Sequence, residues 1–329
     1  LRWFQQAYQR GHHGKSLVRK IVNAYYNTRG SYRRTSDDIE NKLGFMRVFR
    51  IIDALGRGCK GPVQVARELH PKWSGFLGLD SKVVKIHGDE WLILVAVDLD
   101  TEDMVDFWLV KHEDSITLSH FLVELRDEIH YDPKMVVIDL DPAWKEAVES
   151  VFPDVPIQFC VVHFERIVDR IIPRLKRTPK QMALKEMVRD VLYAESEEEA
   201  RAAKERLLKK RGYFTERKSR HVISSLMENF ELLITHFRVK GSFRSNNSTE
   251  SVNDKLEMKL WLIRGYKRVE TARNSLKLMV MHYRFRKFSS SCSVKAHNGK
   301  SPLQLAGVDV SKLDWITYSQ KDPSILKVP

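Results

Sequence analysis

The spacing of apolar residues changes at Phe76. Gly78 to Ile86 is a mixed run that closes on the turn signal Gly88-Asp89, Trp91 to Val97 is nearly all apolar and ends at Asp98, and Met104 to Val110 follows. Each run has strand length and β-branched or aromatic content, and turn residues part them, so the pattern predicts three consecutive antiparallel strands. Thr117 to Ile129 then reads as a helix with Leu118, Leu122 and Leu125 on one side. After Asp132-Pro133 comes a buried-looking strand, Lys134 to Ile138, that ends at Asp139. Asp141-Pro142 opens a further helix running toward Phe152-Pro153, and Val155 to Cys160 is a short fifth strand followed by Val161-Val162-His163.

The flanks repeat at helical rather than strand spacing. Leu17-Val18, Ile21-Val22 and Tyr25-Tyr26 predict one helix, closed by Thr28-Arg29-Gly30. Thr35, with Asp38 three residues on, is the predicted N-cap of a short helix over Ser36 to Leu43 that stops at Gly44. A third helix, Met46 to Leu55, carries Arg47 and Arg50. A short helix, a glycine-containing turn and a basic helix have the outline of a helix-turn-helix; a plain helical bundle packed on the next domain has the same outline. Residues 164–240 show no strand pattern and read as an all-helical insertion, with a capping box at Ser196 and Glu199. The polar loop Gly241 to Glu250 leads into a long helix whose apolar face is Val252, Leu256, Leu260 and Ile263. Ser248 or Thr249 is its expected cap, and Glu250 lies in its first turn. A last helix, Thr271 to Phe288, mixes apolar and basic residues, and Ser301-Pro302-Leu303 begins a short ordered tail.

Three strands, a helix, then a strand is the opening order of an RNase H-like domain. The expectation is therefore an α/β fold: an RNase H-like mixed five-stranded sheet flanked by helices, interrupted by the helical insertion and preceded by a helical DNA-binding region. The units expected are 1–75 (helix-turn-helix-like), 76–163 (first part of the core), 164–240 (insertion), 241–290 (second part, carrying the Glu helix) and 291–329 (tail). In such a fold one carboxylate lies within the first strand and another at the end of the fourth, where Asp80 and Asp139 fall. Asp98 and Asp141 also end or follow strands and compete for those roles. Cys160 and His163 have the spacing of half a zinc site, but no second Cys/His pair lies near them, which argues against a four-ligand structural zinc.

Charge sharpens the picture. The chain of 329 residues carries a formal +13, but residues 1–75 hold +10, 76–158 hold −13, 159–240 hold +7 and 241–329 hold +9. An acidic segment between basic ones suits a metal-dependent enzyme acting on nucleic acid: carboxylates hold hard divalent cations and Lys/Arg neutralise phosphates. No apolar run approaches the ~20 residues of a membrane span, and residues 1–15 do not read as a signal peptide. Three scattered cysteines, Cys59, Cys160 and Cys292, suit a reducing compartment. The first residue is Leu1 rather than Met, which leaves completeness of the N-terminal region open.

Taken together the residues resemble the Mutator-like transposases and the prokaryotic insertion-sequence enzymes grouped with them, over about residues 76–307. The resemblance rests on Leu79-Asp80-Ser81, on Val137-Ile138-Asp139 with Ala147, on Phe152-Pro153 and on Cys160-Val161-Val162-His163. It rests further on Arg244 to Glu250 with Asn253 and Lys255, on Arg264-Gly265-Tyr266 and on Ser301-Pro302-Leu303. It implies that Asp80, Asp139 and Glu250 form a DDE triad holding two Mg²⁺ (or Mn²⁺) ions, with the Cys160/His163 pair close by. It implies a DNA transposase that cleaves at transposon ends and transfers strands into target DNA. Double-stranded DNA, as terminal inverted repeats and target, is the expected partner, in the nucleoid or cytoplasm of a prokaryote or the nucleus of a eukaryote, with a homodimer or higher oligomer assembled on two ends. Arg47, Arg50, Arg244, Asn246, Asn247, Lys255, Lys259 and Arg264 are the expected DNA contacts. Two other readings compete: a domesticated non-catalytic DNA-binding protein, and an RNase H-like nuclease on RNA–DNA hybrids.

Overall fold

The computed structural model describes residues 14–27, 30–39, 43–173, 175, 177–263, 265–290 and 294–322. Arg264 and Cys292 lie outside them. Four helices come first: α1 (Gly14–Asn27), α2 (Tyr32–Asp37), α3 (Phe45–Gly58) and α4 (Pro62–Leu69). The sheet is built from β1 (Phe76–Ile86), β2 (Asp89–Asp98), β3 (Asp103–Val110), β4 (Met135–Ile138) and β5 (Ile157–Phe159), with α5 (Ser115–Asp127) before β4 and α6 (Pro142–Val151) before β5. Its spatial order is β3-β2-β1-β4-β5. β1, β2 and β3 pair antiparallel, whereas β4 runs parallel to β1 and β5 parallel to β4. The fold is thus mixed α/β around a five-stranded mixed sheet, as expected.

The rest is helical. α7 (Val161–Ile171), α8 (Pro179–Leu192), α9 (Glu197–Lys209) and α10 (Arg217–Leu233) fill residues 161–233, and no strand occurs among the described residues of 164–240. α11 (Asn247–Ile263) and α12 (Val269–Phe285) return the chain to the sheet, and short helices α13 (Pro302–Leu305) and α14 (Trp315–Tyr318) close it. Among the described residues no helix is long and apolar enough to cross a membrane.

Period-two alternation along the strands separates two cores. Leu77, Leu79, Leu94 and Ala96 face a cluster that includes α5, α6 and the helices of the insertion. Val84, Ile86, Ile93, Val95 and Val97 face the opposite one, where they meet α1, α3, α11 and α12. The N-terminal helices therefore share a core with the sheet: α3 turns Val48, Ile51, Ile52 and Leu55 inward and packs along α12.

The turn region differs from its sequence-based outline. Helix α2 begins at Tyr32 and is capped by Ser31, whose hydroxyl accepts from the Arg34 N–H at 3.3 Å. Thr35, the expected cap, lies inside that helix and is buried. Pro62 starts a fourth helix; proline at the first turn is well placed, because its missing N–H would have no helical partner there. Arg284 of α12 makes a two-pronged pair with Asp103 of β3, Nε to Oδ1 at 2.8 Å and Nη2 to Oδ2 at 2.7 Å, both side chains almost wholly buried.

Candidate active site

Asp80 and Asp139 are brought together by strand register. The parallel pairing aligns Phe76 with Met135, Leu77 with Val136 and Gly78 with Val137. Carried two residues further, the same offset sets Asp80 level with Asp139, which follows the last residue of β4. Asp80 shares its face of β1 with Gly78 and Val84, the face on which α11 lies. Its Oδ1 accepts from the Ser81 N–H at 2.7 Å and its Oδ2 from Asn253 Nδ2 of α11 at 2.6 Å. Burial, and next the neighbouring charge of Asp139, push the Asp80 carboxyl up to about 6.

Glu250 enters from α11, in its first turn as expected, although that helix begins at Asn247 rather than at a Ser248 or Thr249 cap. The N-terminus of α11 is docked closely. Asn246 Nδ2 donates to the Leu79 carbonyl at 2.8 Å, and Asn246 N–H donates to Cys160 Sγ at 3.2 Å. A side chain at Gly78 would collide with Thr249, Asn246 and Leu99, so glycine is what lets α11 sit directly on β1.

One residue joins the last two carboxylates. His163, in the first turn of α7, has Nδ1 2.7 Å from Asp139 Oδ1 and Nε2 3.4 Å from Glu250 Oε1. Burial works against its protonation, but contacts with Asp139 and Cys160 outweigh this and raise its pKa to about 10. One helical turn on, Arg166 grips Glu250 with two bonds, Nη1 to Oε1 at 2.5 Å and Nη2 to Oε2 at 2.8 Å. Two carboxylates crowded on adjacent strands, with a third linked to them through an imidazolium, form a region where negative charge demands compensation. The donors are oxygen-rich, which suits a hard divalent ion.

The rival carboxylates have structural duties. Asp98 is fully buried and saturated: Oδ2 accepts from Ser74 N–H and Oγ at 2.8 Å each, from Gly75 N–H at 3.3 Å and from Tyr131 OH at 2.7 Å. Its Oδ1 accepts from Thr101 N–H at 3.1 Å and Oγ1 at 2.8 Å. Asp141 caps α6, accepting from the Ala143 N–H at 2.8 Å.

The expected DNA contacts divide. Arg47 and Arg50 are exposed on α3, and Arg244 and Asn247 are exposed beside the site, with Arg244 also 5.9 Å from the Tyr193 ring. Lys255 is half-buried, 3.3 Å from Glu102 and above the Tyr283 and Phe288 rings. Asn246 and Lys259 are not surface contacts. Asn246 is fully buried by the bonds given above. Lys259 is buried with its ammonium donating to the carbonyls of Tyr25 and Gly30, so it caps the C-terminal end of α1 instead of meeting phosphate.

Arg166 and Glu113 escaped the sequence reading. Glu113 accepts from Ser81 Oγ and from Trp144 Nε1 (2.7 Å), bracing the strand beside Asp80. Arg166 had a signal: Cys160, His163 and Arg166 recur every third residue, one stripe on α7.

Comparison with known proteins agrees with this geometry at the level of family. The sequence profile described as "Transposase, Mutator family" matches residues 3–286. No curated protein matches significantly. Among solved structures, the cryo-EM structure of the simian T-cell lymphotropic virus intasome in complex with PP2A regulatory subunit B56 gamma is similar at 10% identity and a TM-score of 0.22, covering 54% of this chain and 69% of that one.

Proposed function

The chain belongs to the Mutator family of transposases, and from that premise we propose that it is a DDE enzyme that cuts DNA at transposon ends and joins the freed 3′-hydroxyl to target DNA. The sheet order β3-β2-β1-β4-β5, antiparallel then parallel, supports an RNase H-like core for this chemistry. The observation that carries the reading is the alignment of Asp80 with Asp139, with Glu250 tied to the same spot through His163. Burial first, and then the neighbouring Asp139 charge, raise the Asp80 carboxyl, and a cation bound between the two carboxylates would offset both.

Asp80, Asp139 and Glu250 would hold a pair of Mg²⁺ (or Mn²⁺) ions, which supply an activated oxygen nucleophile and stabilise the leaving oxygen in an in-line displacement at phosphorus. The chain's own residues prepare that site. Ser81 N–H and Asn253 fix the two oxygens of Asp80, so its orientation is set before substrate arrives. The His163 imidazolium lies against Asp139, and Arg166 keeps Glu250 turned toward α7. Exposed Arg244, with Lys255, would neutralise backbone phosphates and Asn247 would donate to them, and Arg47 and Arg50 on α3 would add further phosphate contacts. Double-stranded DNA, as transposon ends and target, is the substrate this implies, with two copies of the chain joining two ends.

The test is Asp139→Asn. Its side chain keeps its size, so the fold and DNA binding should persist while Mg²⁺-dependent nicking of a supercoiled plasmid carrying the element ends disappears. Cleavage by Asp139→Asn at a wild-type rate would overturn the assignment.

A further inference from the structure

We propose that Asp139, Cys160 and His163 form a second kind of cation site, selective for a thiolate-seeking ion of the Zn²⁺ class and distinct in chemistry from the oxygen-only site for Mg²⁺. The three side chains come from the end of β4 and the start of α7, and one ligand atom of each lies within 4.8 Å of the other two. A tetrahedral zinc ion with bonds of about 2.0–2.3 Å sets its ligands about 3.3–3.7 Å apart, so the Asp139–His163 pair, now at 2.7 Å, opens and the wider separations close by about 1 Å at most to take the ion. Sulfur, imidazole nitrogen and one carboxylate oxygen are the donors zinc takes, and three protein ligands leave a fourth position for water. Magnesium has no use for sulfur.

The surroundings support the ligands as a metal site requires. Cys160 is wholly buried, and its Sγ accepts the Asn246 backbone N–H at 3.2 Å, which holds the sulfur in place. His163 directs Nδ1 at the Asp139/Cys160 pair, while Nε2 faces Glu250 Oε1 at 3.4 Å. A carboxylate behind a ligating histidine fixes the ring and strengthens the donor. Asp139 Oδ1 and His163 Nδ1 are both buried and 2.7 Å apart. The ion would clasp the end of β4 to the start of α7 and so fix the helix that carries Arg166. The inference does not depend on transposition: it concerns binding by the free protein.

Cobalt titration of the purified full-length chain, without DNA, tests it. The expected result is one tight equivalent, with a thiolate-to-cobalt charge-transfer band and tetrahedral d–d bands, all displaced by stoichiometric Zn²⁺. Cys160→Ser should abolish the charge-transfer band, and His163→Ala should weaken binding by at least the ~10–100-fold lost with outer partners of a metal site. A Cys59→Ser/Cys292→Ser double variant should keep the band, with folding checked by circular dichroism in each case. A wild-type chain giving no charge-transfer band, or a band that survives in Cys160→Ser, would overturn the proposal and leave the Mg²⁺-dependent nicking reading untouched.

Discussion

Replacing Gly78 by alanine tests whether the seating of α11 on β1 sets the position of Glu250. A methyl group at this position would come within 2.5 Å or less of Thr249 Oγ1, Asn246 Oδ1 and Leu99 Cδ2, where ordinary contact begins at 3.4 Å. Each must therefore give way by about 1 Å. Asn246 cannot swing aside alone, because its amide holds the Leu79 carbonyl and its N–H holds Cys160. The N-terminus of α11 is left to lift, taking Glu250 with it. Overpacking of this kind costs about 1–3 kcal/mol, and a reactive group displaced by ~1 Å loses on the order of 100-fold in rate. Urea melts would read the first figure, and single-turnover nicking of a supercoiled plasmid with Mg²⁺ the second. Thr249 Oγ1 makes no hydrogen bond among the described residues, so adding Thr249→Ala relieves one clash cheaply. The Gly78→Ala/Thr249→Ala protein should recover part of both losses, with a coupling of about 0.5–3 kcal/mol. A Gly78→Ala protein that nicks at the wild-type rate, or a double variant no better than the single, would refute the reasoning.

Three further outcomes follow from other contacts. Because the Asp80 carboxyl titrates near 6 in the fold against about 3.9 in an unfolded chain, the folded state prefers it protonated. That preference stabilises the fold below pH ~4 and is lost as pH rises through 6, the reverse of a salt-bridged carboxylate. Asp80→Asn should therefore raise stability at pH 7.5 in chelator, by on the order of 3 kcal/mol, with no gain at pH 4. Asn253 can reverse its amide to pair with the new side chain; melts showing no gain at either pH would contradict this account. Arg166→Ala removes the two-pronged hold on Glu250, but Arg166 is half exposed, so the pair is worth ~0–1 kcal/mol; the Mg²⁺ midpoint for nicking should fall by no more than about fivefold, and a rise would show that Arg166 positions Glu250 productively. Arg284→Met strands the buried Asp103 carboxylate and should cost about 3–5 kcal/mol in a urea melt, whereas a loss under 1 kcal/mol would mean Asp103 is relieved by protonation or by Trp73.

What could be read from residues alone followed the range of the interactions. Strand and helix periodicity is local, so β1 to β5 and the helical nature of 164–240 were legible, with ends misplaced by a few residues. The position of Asp80 within β1 was equally legible. What separates it from Asp98 was not, because that turns on six donors reaching Asp98 from Ser74, Gly75, Thr101 and Tyr131, four of them 23 to 33 residues away in the chain. The same limit explains the misread amide and lysine. Asn246 and Lys259 carry side chains that suit phosphate, and nothing near them in the chain reveals that a strand carbonyl 167 residues away claims one and a helix end 234 residues away claims the other. Thr35 failed for a nearer reason: Ser31 offered a rival hydroxyl four residues earlier, and two caps of similar strength cannot be ranked without knowing which residues the core buries. The Cys160, His163, Arg166 stripe is the opposite case. Its three-residue stride was visible, but a stride has meaning only once the surface opposite is known, and that surface is made of Asp139 and Glu250, brought in by a parallel strand and by a helix that returns after the whole insertion. The site is assembled from pieces that share no local signal, and so its chemistry had to be read from the fold.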